Sequence, residues 1–383
     1  MILKKYVHPK IDNIRLLNEC ARASLKASRI HRKGWLWCFK RVLSLVDKYR
    51  FAPFEALKWG LFNPNITDSE LKNFVSKRAL SRFQNSINPD DWYYVTEDKS
   101  IFYRFCEAEG IPVPELFGVL YRNYPHWIRF QETNNIEHTS VDPSKYLVVK
   151  PCRSVFGQGV FIYDDIELGQ GCEISDRNKK LEEIASKVFS ETRFNSFVVQ
   201  EKLRNHSKLR TLGDNEELKT VRVITYLDKE HRPQILATFL KVATGENITD
   251  NWDGGASGNL IIHLDEMTGR ADEVIRQNDP TGVAERITWE DLVQSEQGYL
   301  EEFFYAPLWD EVRALAHRLA RSFSPLRIIG WDIAITDKGV FALEGNYRAG
   351  PYPSALFRKL LESAAIDINM SVNSELRRAA NFN

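Results

Sequence analysis

Gly330-Trp331-Asp332-Ile333-Ala334-Ile335-Thr336-Asp337-Lys338-Gly339-Val340-Phe341-Ala342-Leu343-Glu344-Gly345-Asn346 consists of two apolar runs on either side of a glycine turn. The pattern predicts a β-hairpin over Trp331–Glu344. Asp337-Lys338-Gly339 is read as its loop, three residues long with glycine at the left-handed position. In that register Thr336 faces Val340, and counting outward sets Asp332 opposite Glu344. Their Cβ atoms would lie about 4.5–5.5 Å apart, where like charges repel. Asn346, two residues on, projects to the same face. Two carboxylates and an amide oxygen are hard donors suited to Mg²⁺ held together with phosphate oxygens. A two-residue loop would break the alignment, and a solvated hairpin with two unrelated acids is the alternative.

Upstream, Tyr146–Lys150 is a strand-like run followed by Pro151-Cys152-Arg153-Ser154-Val155-Phe156-Gly157-Gln158-Gly159-Val160 and a second run to Tyr163. A lysine at a strand end before a glycine loop suits a phosphate lid, with glycines letting backbone N–H groups approach oxygen atoms. Neither GxxxxGK[ST] nor a strand-to-helix GxGxxG is present, so the P-loop and Rossmann fingerprints are excluded. Val198-Val199-Gln200-Glu201-Lys202-Leu203 is an apolar strand ending in polar residues, read as a hinge beside an adenine edge or as an ordinary core strand.

The 383 residues include 52 basic and 52 acidic side chains and 43% hydrophobic residues, which excludes disorder and argues against a dedicated nucleic-acid binder. Five scattered cysteines without a CxxC pair exclude a disulfide framework or zinc site. No apolar run approaches the ~20 residues of a membrane span, and the start lacks an apolar leader. A cytoplasmic chain is expected, with the inner membrane face as a variant of that expectation.

Charge is unevenly spread. Residues 1–50 hold thirteen Lys or Arg against Asp12, Glu19 and Asp47, an excess of ten. Trp35, Phe39, Val42, Leu43, Val46 and Tyr49 recur at helical spacing among Arg32, Lys33, Lys40, Arg41 and Lys48. A helix packed on its own domain with a solvated cationic face is the favoured reading. Peripheral contact of residues 32–50 with an anionic membrane, or with a polyanionic substrate, is the alternative. From 52 to 97 the pattern stays helical, with an N-cap at Thr67 or Asp68. A helix over Ser100–Glu109 ends at Gly110, before extended Ile111–Pro114 and a polar loop through Ser144. Lys179–Ser190 and Trp309–Ser322 read as helices, Phe197–Gln200 as a strand, and Thr220–Leu264 as mostly strands. Strands mixed with helices without βαβ alternation give an α+β class.

In chain order, Asp98-Lys99 before Glu109-Gly110-Ile111-Pro112-Val113-Pro114, Lys150 with its glycine loop, Glu201-Lys202-Leu203, and the Asp332/Glu344/Asn346 set resemble the ATP-grasp superfamily. Leu218–Thr225, Asp250-Asn251-Trp252-Asp253-Gly254-Gly255, Gly330-Trp331-Asp332 and Glu344-Gly345-Asn346 resemble its sugar-transfer-associated branch. The resemblance covers about residues 97–356. It implies two α+β lobes sandwiching ATP, over 97–205 and 206–383, behind a helical basic region over 1–96. Relatives often open with a Rossmann-like domain instead.

The resemblance implies ATP and Mg²⁺, with Lys99, Lys150, Gly157, Gln158, Gly159 and Val160 on the phosphates. Glu201, Lys202 and Leu203 would meet adenine, and Asp332, Glu344 and Asn346 the metal. His206 is a candidate for the ribose, though a lone His is often incidental; Lys208 and Arg210 stay open. Arg222 is read as an anion clamp or a structural ion pair, and Lys241 as a neutraliser of an acyl phosphate or a surface lysine. Asn251 belongs with Lys241 near the transferred phosphate. Gly254, Gly255, Arg348 and Gly350 are assigned to the substrate side. The implied activity is an ADP-forming carboxylate–amine ligase acting on a sugar, uronic acid or amino acid in surface polysaccharide synthesis. The alternatives are a peptide or natural-product amide ligase, a kinase, and a nucleotide-responsive scaffold. The implied partners are small carboxylate and amine substrates.

Overall fold

A computed structural model of the chain describes residues 9–122, 147–154, 158–163, 174–190, 192–210, 212–252, 257–278, 281–295, 301–351 and 357–367. Helices come first: α1 (Pro9–His31), α2 (Trp35–Asp47), α3 (Pro53–Lys58), α4 (Asp68–Leu71), α5 (Lys77–Ile87), α6 (Tyr93–Glu97) and α7 (Lys99–Ala108). A first set of strands follows: β1 (Leu116–Tyr121), β2 (Leu147–Pro151), β3 (Phe161–Tyr163) and, after α8 (Ile174–Val188), β4 (Ser196–Glu201). The short α9 (Ser207–Arg210) leads into β5 (Thr220–Leu227), β6 (Pro233–Val242), β7 (Leu260–Leu264), β8 (Ala271–Asn278) and β9 (Val283–Thr288). The chain continues through α10 (Trp289–Ser295), α11 (Trp309–Ser322), β10 (Ile328–Thr336), β11 (Gly339–Asn346) and α12 (Phe357–Asp367).

Helix ends follow local chemistry. Thr67 accepts from the Glu70 amide while the Glu70 carboxylate accepts from the Thr67 amide, a reciprocal cap for α4. Ser76 and Asp98 cap α5 and α7 in the same way, by accepting from backbone amides. Gly110 (φ +63°) stops α7.

The strands form two sheets, ordered β1-β4-β2-β3 and β11-β10-β5-β6-β7-β8-β9, with every observed pair antiparallel. β1 corrects the expected polar loop from Pro114 to Ser144. Leu116–Tyr121 is an edge strand paired with β4, and its run is short and interrupted by Gly118, so its partner defines it. Residues 123–146 of that loop lie outside the described residues.

β5 and β10 are buried along their whole length because both faces of the large sheet are covered. Val221 and Val223 face a core shared with α7, α10 and α11. Ile224 and Tyr226 face the other way, into a core filled by Cys38, Val42, Phe51, Phe62 and Phe83 of the N-terminal helices and by α12. Residues before α6 therefore share their core with the large sheet. Each such buried aromatic or aliphatic side chain contributes about 1.5–3 kcal/mol. A smaller core lies between the four-stranded sheet and α8.

The stripe expected on α2 is rotated. Cys38, Val42 and Leu45 point inward, Phe39, Val46 and Tyr49 are half-buried, and Trp35 and Leu43 are exposed. Arg41 is drawn inward, donating to the Leu61 and Ile66 carbonyls and to Asp68. A stripe read from hydrophobicity alone cannot see that a guanidinium finds carbonyl partners on its inner side.

The hairpin loop also differs from expectation. Thr336 pairs with Gly339, so the loop has two residues, and Ile335, Ala334 and Ile333 pair with Val340, Phe341 and Ala342. A β-bulge then shifts the register by one, and Asp332 pairs with Glu344 after all. A shorter loop and one extra residue cancel.

Candidate active site

The last hairpin, β5, β6 and the start of α7 meet at one end of the large sheet. Asp332 lies between Glu344 on β11 and Arg222 on β5 in the ladder. Arg222 grips its carboxylate with both Nε and Nη2, the latter at 2.9 Å. Lys241 Nζ, from β6, lies 3.1 Å from Asp332 Oδ2 and 3.3 Å from Asp250 Oδ1. Asp250 accepts in turn from the Thr220 hydroxyl. Burial alone would raise the Asp332 carboxyl, but Arg222 and Lys241 outweigh it and hold it well below the usual range. Burial raises Asp250, against the pull of Lys241.

Glu344 also reaches the start of α7. Its Oε2 lies 3.1 Å from Lys99 Nζ, and its Oε1 accepts weakly from Asn346 Nδ2 at 3.5 Å. The Lys99 amide donates to the Cys152 carbonyl at 2.8 Å, which ties the start of α7 to the segment following Lys150. The Lys150 ammonium lies 5.3 Å over the Tyr103 ring. Burial, with repulsion from Lys99 added, lowers it to about 7. The Tyr103 hydroxyl is 2.9 Å from both Gln200 Oε1 and the Leu343 carbonyl, linking the two sheets beneath the lysine.

Glycines make this closeness possible. A Cβ on Gly330 would lie 2.7 Å from Ala349 Cβ and 3.1 Å from Arg222 Cδ; one on Gly345 would lie 2.9 Å from Trp331. Gly159 (φ +74°) lets the chain pass over Phe194 and Pro151. Gln158 and Val160 flank it, and Gly157 lies outside the described residues.

Past the small sheet, Glu201 bonds Glu115 in both directions: its amide donates to the Glu115 carbonyl, and its carboxylate accepts from the Glu115 amide at 3.0 Å. Lys202 pairs with Glu217. Leu203 packs against Ala334 and Leu343, so the connection between sheets lies directly over the hairpin. The His206 amide donates to Ile335, and its Nδ1 accepts from Lys208. Arg210 pairs with Asp337 at the hairpin tip.

On the far side Arg348 donates to Asn85 of α5 at 2.9 Å, and among the described residues nothing lies within 4 Å of where a Gly350 Cβ would stand. Asn251 is held by its carbonyl, which accepts from Asn259, and its amide reaches Thr249 at 3.4 Å. Gly254 and Gly255 lie outside the described residues.

The structure thus brings Lys99, Lys150, Arg222, Lys241, Asp332, Glu344 and Asn346 to one place, with Glu201–His206 along one border and Arg348–Gly350 along another. Of the two readings of Arg222, it shows the ion pair; Lys241 is buried rather than on the surface. Sequence reading missed Glu97, whose carboxyl, raised by burial, accepts from the Tyr347 amide next to Glu344 and Lys99. It also missed Asp250, Thr220 and Asn259. Asp250 and Thr220 stood inside recognised runs; Asn259 carried no signal, because its partners lie in the loop before it, at Thr244, Asn247, Thr249 and Asn251.

As to a metal, the donor set of two carboxylates and an amide fits a hard divalent cation. In this arrangement lysine and arginine occupy those carboxylates, so a bound cation would share or displace Lys99 and Lys241. No group of three or more His, Cys, Asp or Glu capable of holding a metal occurs among the described residues.

A small sheet packed on α8, a large sheet, and lysines and paired acids where they meet define the ATP-grasp class. The chain belongs to the sugar-transfer-associated ATP-grasp family, whose family model matches residues 78–356. No curated protein matches the chain. Among solved structures, it is similar to a D-alanine–D-alanine ligase from Bacillus anthracis (14% identity, 75% of this chain and 66% of that one, TM-score 0.36). It is also similar to a biotin carboxylase–β,γ-ATP complex from Campylobacter jejuni (10%, 74% and 52%, TM-score 0.39). A D-alanyl-alanine synthetase A from Vibrio cholerae gives 12%, 79% and 72%, with TM-score 0.39. At these identities and scores, none of the three bears on the chemistry of this chain.

Proposed function

We propose that the chain is an ATP-dependent carboxylate–amine ligase acting on a sugar-linked, uronic or amino acid substrate. The observation that carries this reading is the joining of two lysines, Lys99 and Lys150, with the Asp332–Glu344 pair and Asn346 at one sheet edge. Lys150, Lys99 and the lid glycines would hold the ATP phosphates, with adenine beside Glu201–Leu203 and ribose near His206. Asp332, Glu344 and Asn346 would hold Mg²⁺, which when bound supplies charge neutralisation for the phosphates.

A substrate carboxylate oxygen attacks the γ-phosphorus, ADP leaves, and an acyl phosphate forms. The amine then attacks the carbonyl carbon, phosphate departs with one former carboxylate oxygen, and the amine loses a proton. Arg222 and Lys241 put two fixed cations beside the place where charge moves, and Arg348 faces the incoming acceptor; orientation and electrostatics supply the rate. Surface polysaccharide or its precursor is the proposed destination, in keeping with the family's description.

The test is oxygen tracing. With ¹⁸O in the stimulating carboxylate, one label should enter the released phosphate, and hydroxylamine in place of the amine should give a hydroxamate. A stable phosphomonoester with unlabelled phosphate would mean a kinase. Absence of any substrate-dependent ADP would mean a scaffold.

A further inference from the structure

The cationic N-terminal region has an outer surface that the ATP site does not use. α1 and α2 pack antiparallel across a short turn, their inner residues Cys20, Ala23, Ala27, Cys38, Val42 and Leu45 buried. Of the thirteen large apolar side chains that the described residues leave exposed, seven lie between Ile14 and Leu43. Three of these stand in a row at the turn: Trp35 (43% exposed), Leu36 (60%) and Trp37 (37%). Arg32 and Lys33 precede them across Gly34, and both are exposed, as are Arg29 and Lys40 one turn away on either helix.

The turn is built to hold that shape. Arg32 takes a left-handed conformation (φ +51°), the Ser28 hydroxyl donates to the Lys33 carbonyl at 2.6 Å, and the Trp37 and Cys38 amides donate to Gly34. Trp35 stacks on Phe39 with ring centroids 5.0 Å apart. Exposed indoles and a leucine in water forfeit burial. An apex with two tryptophans, a leucine and a rim of cations matches a bilayer surface on both counts. Indole rings favour the headgroup boundary, and Lys and Arg are attracted to anionic headgroups. A soluble polyanion would satisfy the cations but leave the apolar side chains wet, and an apolar protein partner would leave the cations unmatched.

We propose that this turn is a membrane-docking tip. Trp35, Leu36 and Trp37 enter the headgroup–acyl boundary of an anionic bilayer, and Arg32, Lys33 and Lys40 meet its phosphates. Docking there needs no spanning segment, and no helix of the described residues is long and apolar enough to cross a membrane. The inference is independent of the ligase reading.

The experiment is co-sedimentation of the full chain with vesicles of phosphatidylcholine alone, or of phosphatidylcholine and phosphatidylglycerol in equal parts. The chain should pellet with the anionic vesicles at low salt and be released as NaCl rises, because screening weakens the attraction. Brominated lipid should quench part of its tryptophan fluorescence. W35S/W37S should lower partitioning about ten-fold or more, from lost apolar insertion. R32E/K33E should abolish it, and both variants should keep the native circular dichroism and melting temperature. Equal binding by these variants, or no pelleting with anionic vesicles at low salt, would overturn the proposal. So would tip-dependent dimerisation without lipid, or tip-dependent capture by a soluble anionic polysaccharide with none by vesicles.

Discussion

Lys150 and Asp332 carry opposite lessons about burial. Burial and the Lys99 charge outweigh the pull of Glu344 and Asp332, so the Lys150 ammonium is lowered to about 7, against about 10.4 in an unfolded chain. Between those two values the unfolded chain binds more protons than the folded one, so this residue makes stability rise with pH across that window. Below pH 7 its penalty is complete. ATP phosphates would restore the charge, so ATP binding near pH 8 should take up protons, read by calorimetry in buffers of different ionisation heat. Unchanged proton uptake in Lys150→Met would remove Lys150 from the phosphate site. Lys150→Ala should weaken ATP binding about ten-fold or more, the worth of a charge-assisted contact. Asp332 is the reverse case, a buried carboxylate held ionised by two cations. Its stabilisation is present above the unfolded carboxylate range and is lost only as pH falls far into acid. Asp332→Asn leaves Arg222 and Lys241 buried together, at a cost of about 3 kcal/mol in denaturant unfolding. A cost near zero would mean that the two cations find other partners.

The β10–β11 hairpin shows how an element can reach the expected result by another route. Its residues named the paired acids, yet the loop is shorter than the residues suggested, and a bulge beside Ile333 restores the alignment. The bulge also lets Leu343 pack against Leu203 while Glu344 reaches Lys99. Nothing in the local pattern announces it, because a bulge is chosen by what both flanking surfaces need. Gly330 makes a specific prediction here. Gly330→Ala must push Ala349 or Arg222 aside, which should cost about 1–3 kcal/mol. The same change should shrink the thermal shift produced by Mg²⁺ with ADP, since it disturbs the Arg222–Asp332 contact. A full shift with native stability would show that the neighbours yield freely.

Across the molecule, the helices before α6 and the large sheet are one packing unit. Ile224, Tyr226, Phe239 and Ile275 have their cover in α1–α5 and α12, and Asn88 holds Ile328 and Arg327 through backbone contacts. Removing residues 1–76 should therefore expose the second sheet face and give insoluble protein, measured by soluble yield beside the full chain. Soluble, cooperatively unfolding product would show that the sheet stands without its helices. Mg²⁺ and ATP at about a hundred times their dissociation constant should stabilise the full chain by about 2.7 kcal/mol through linkage. Absence of any shift would count against the ATP site as a whole.

The residues that the fold draws together were singled out from the start: Lys99, Lys150, and the acids of the last hairpin. Lys99 starts a helix and Glu201 ends a strand, where local pattern is strong, whereas Asp332 lies mid-strand and was placed by the hairpin pattern around it. The helix cap at Thr67 and the stop at Gly110 were legible because their partners lie within four residues. What the folded chain alone could settle were the relations between distant segments. Arg222 became an ion-pair partner through a neighbouring strand 110 residues away, and β1 became a strand through β4. The second face of the large sheet acquired its cover from the opening helices, and α2 turned by the pull of two carbonyls on Arg41. Each depends on a contact whose partner is remote in sequence, and no periodicity within one segment records it.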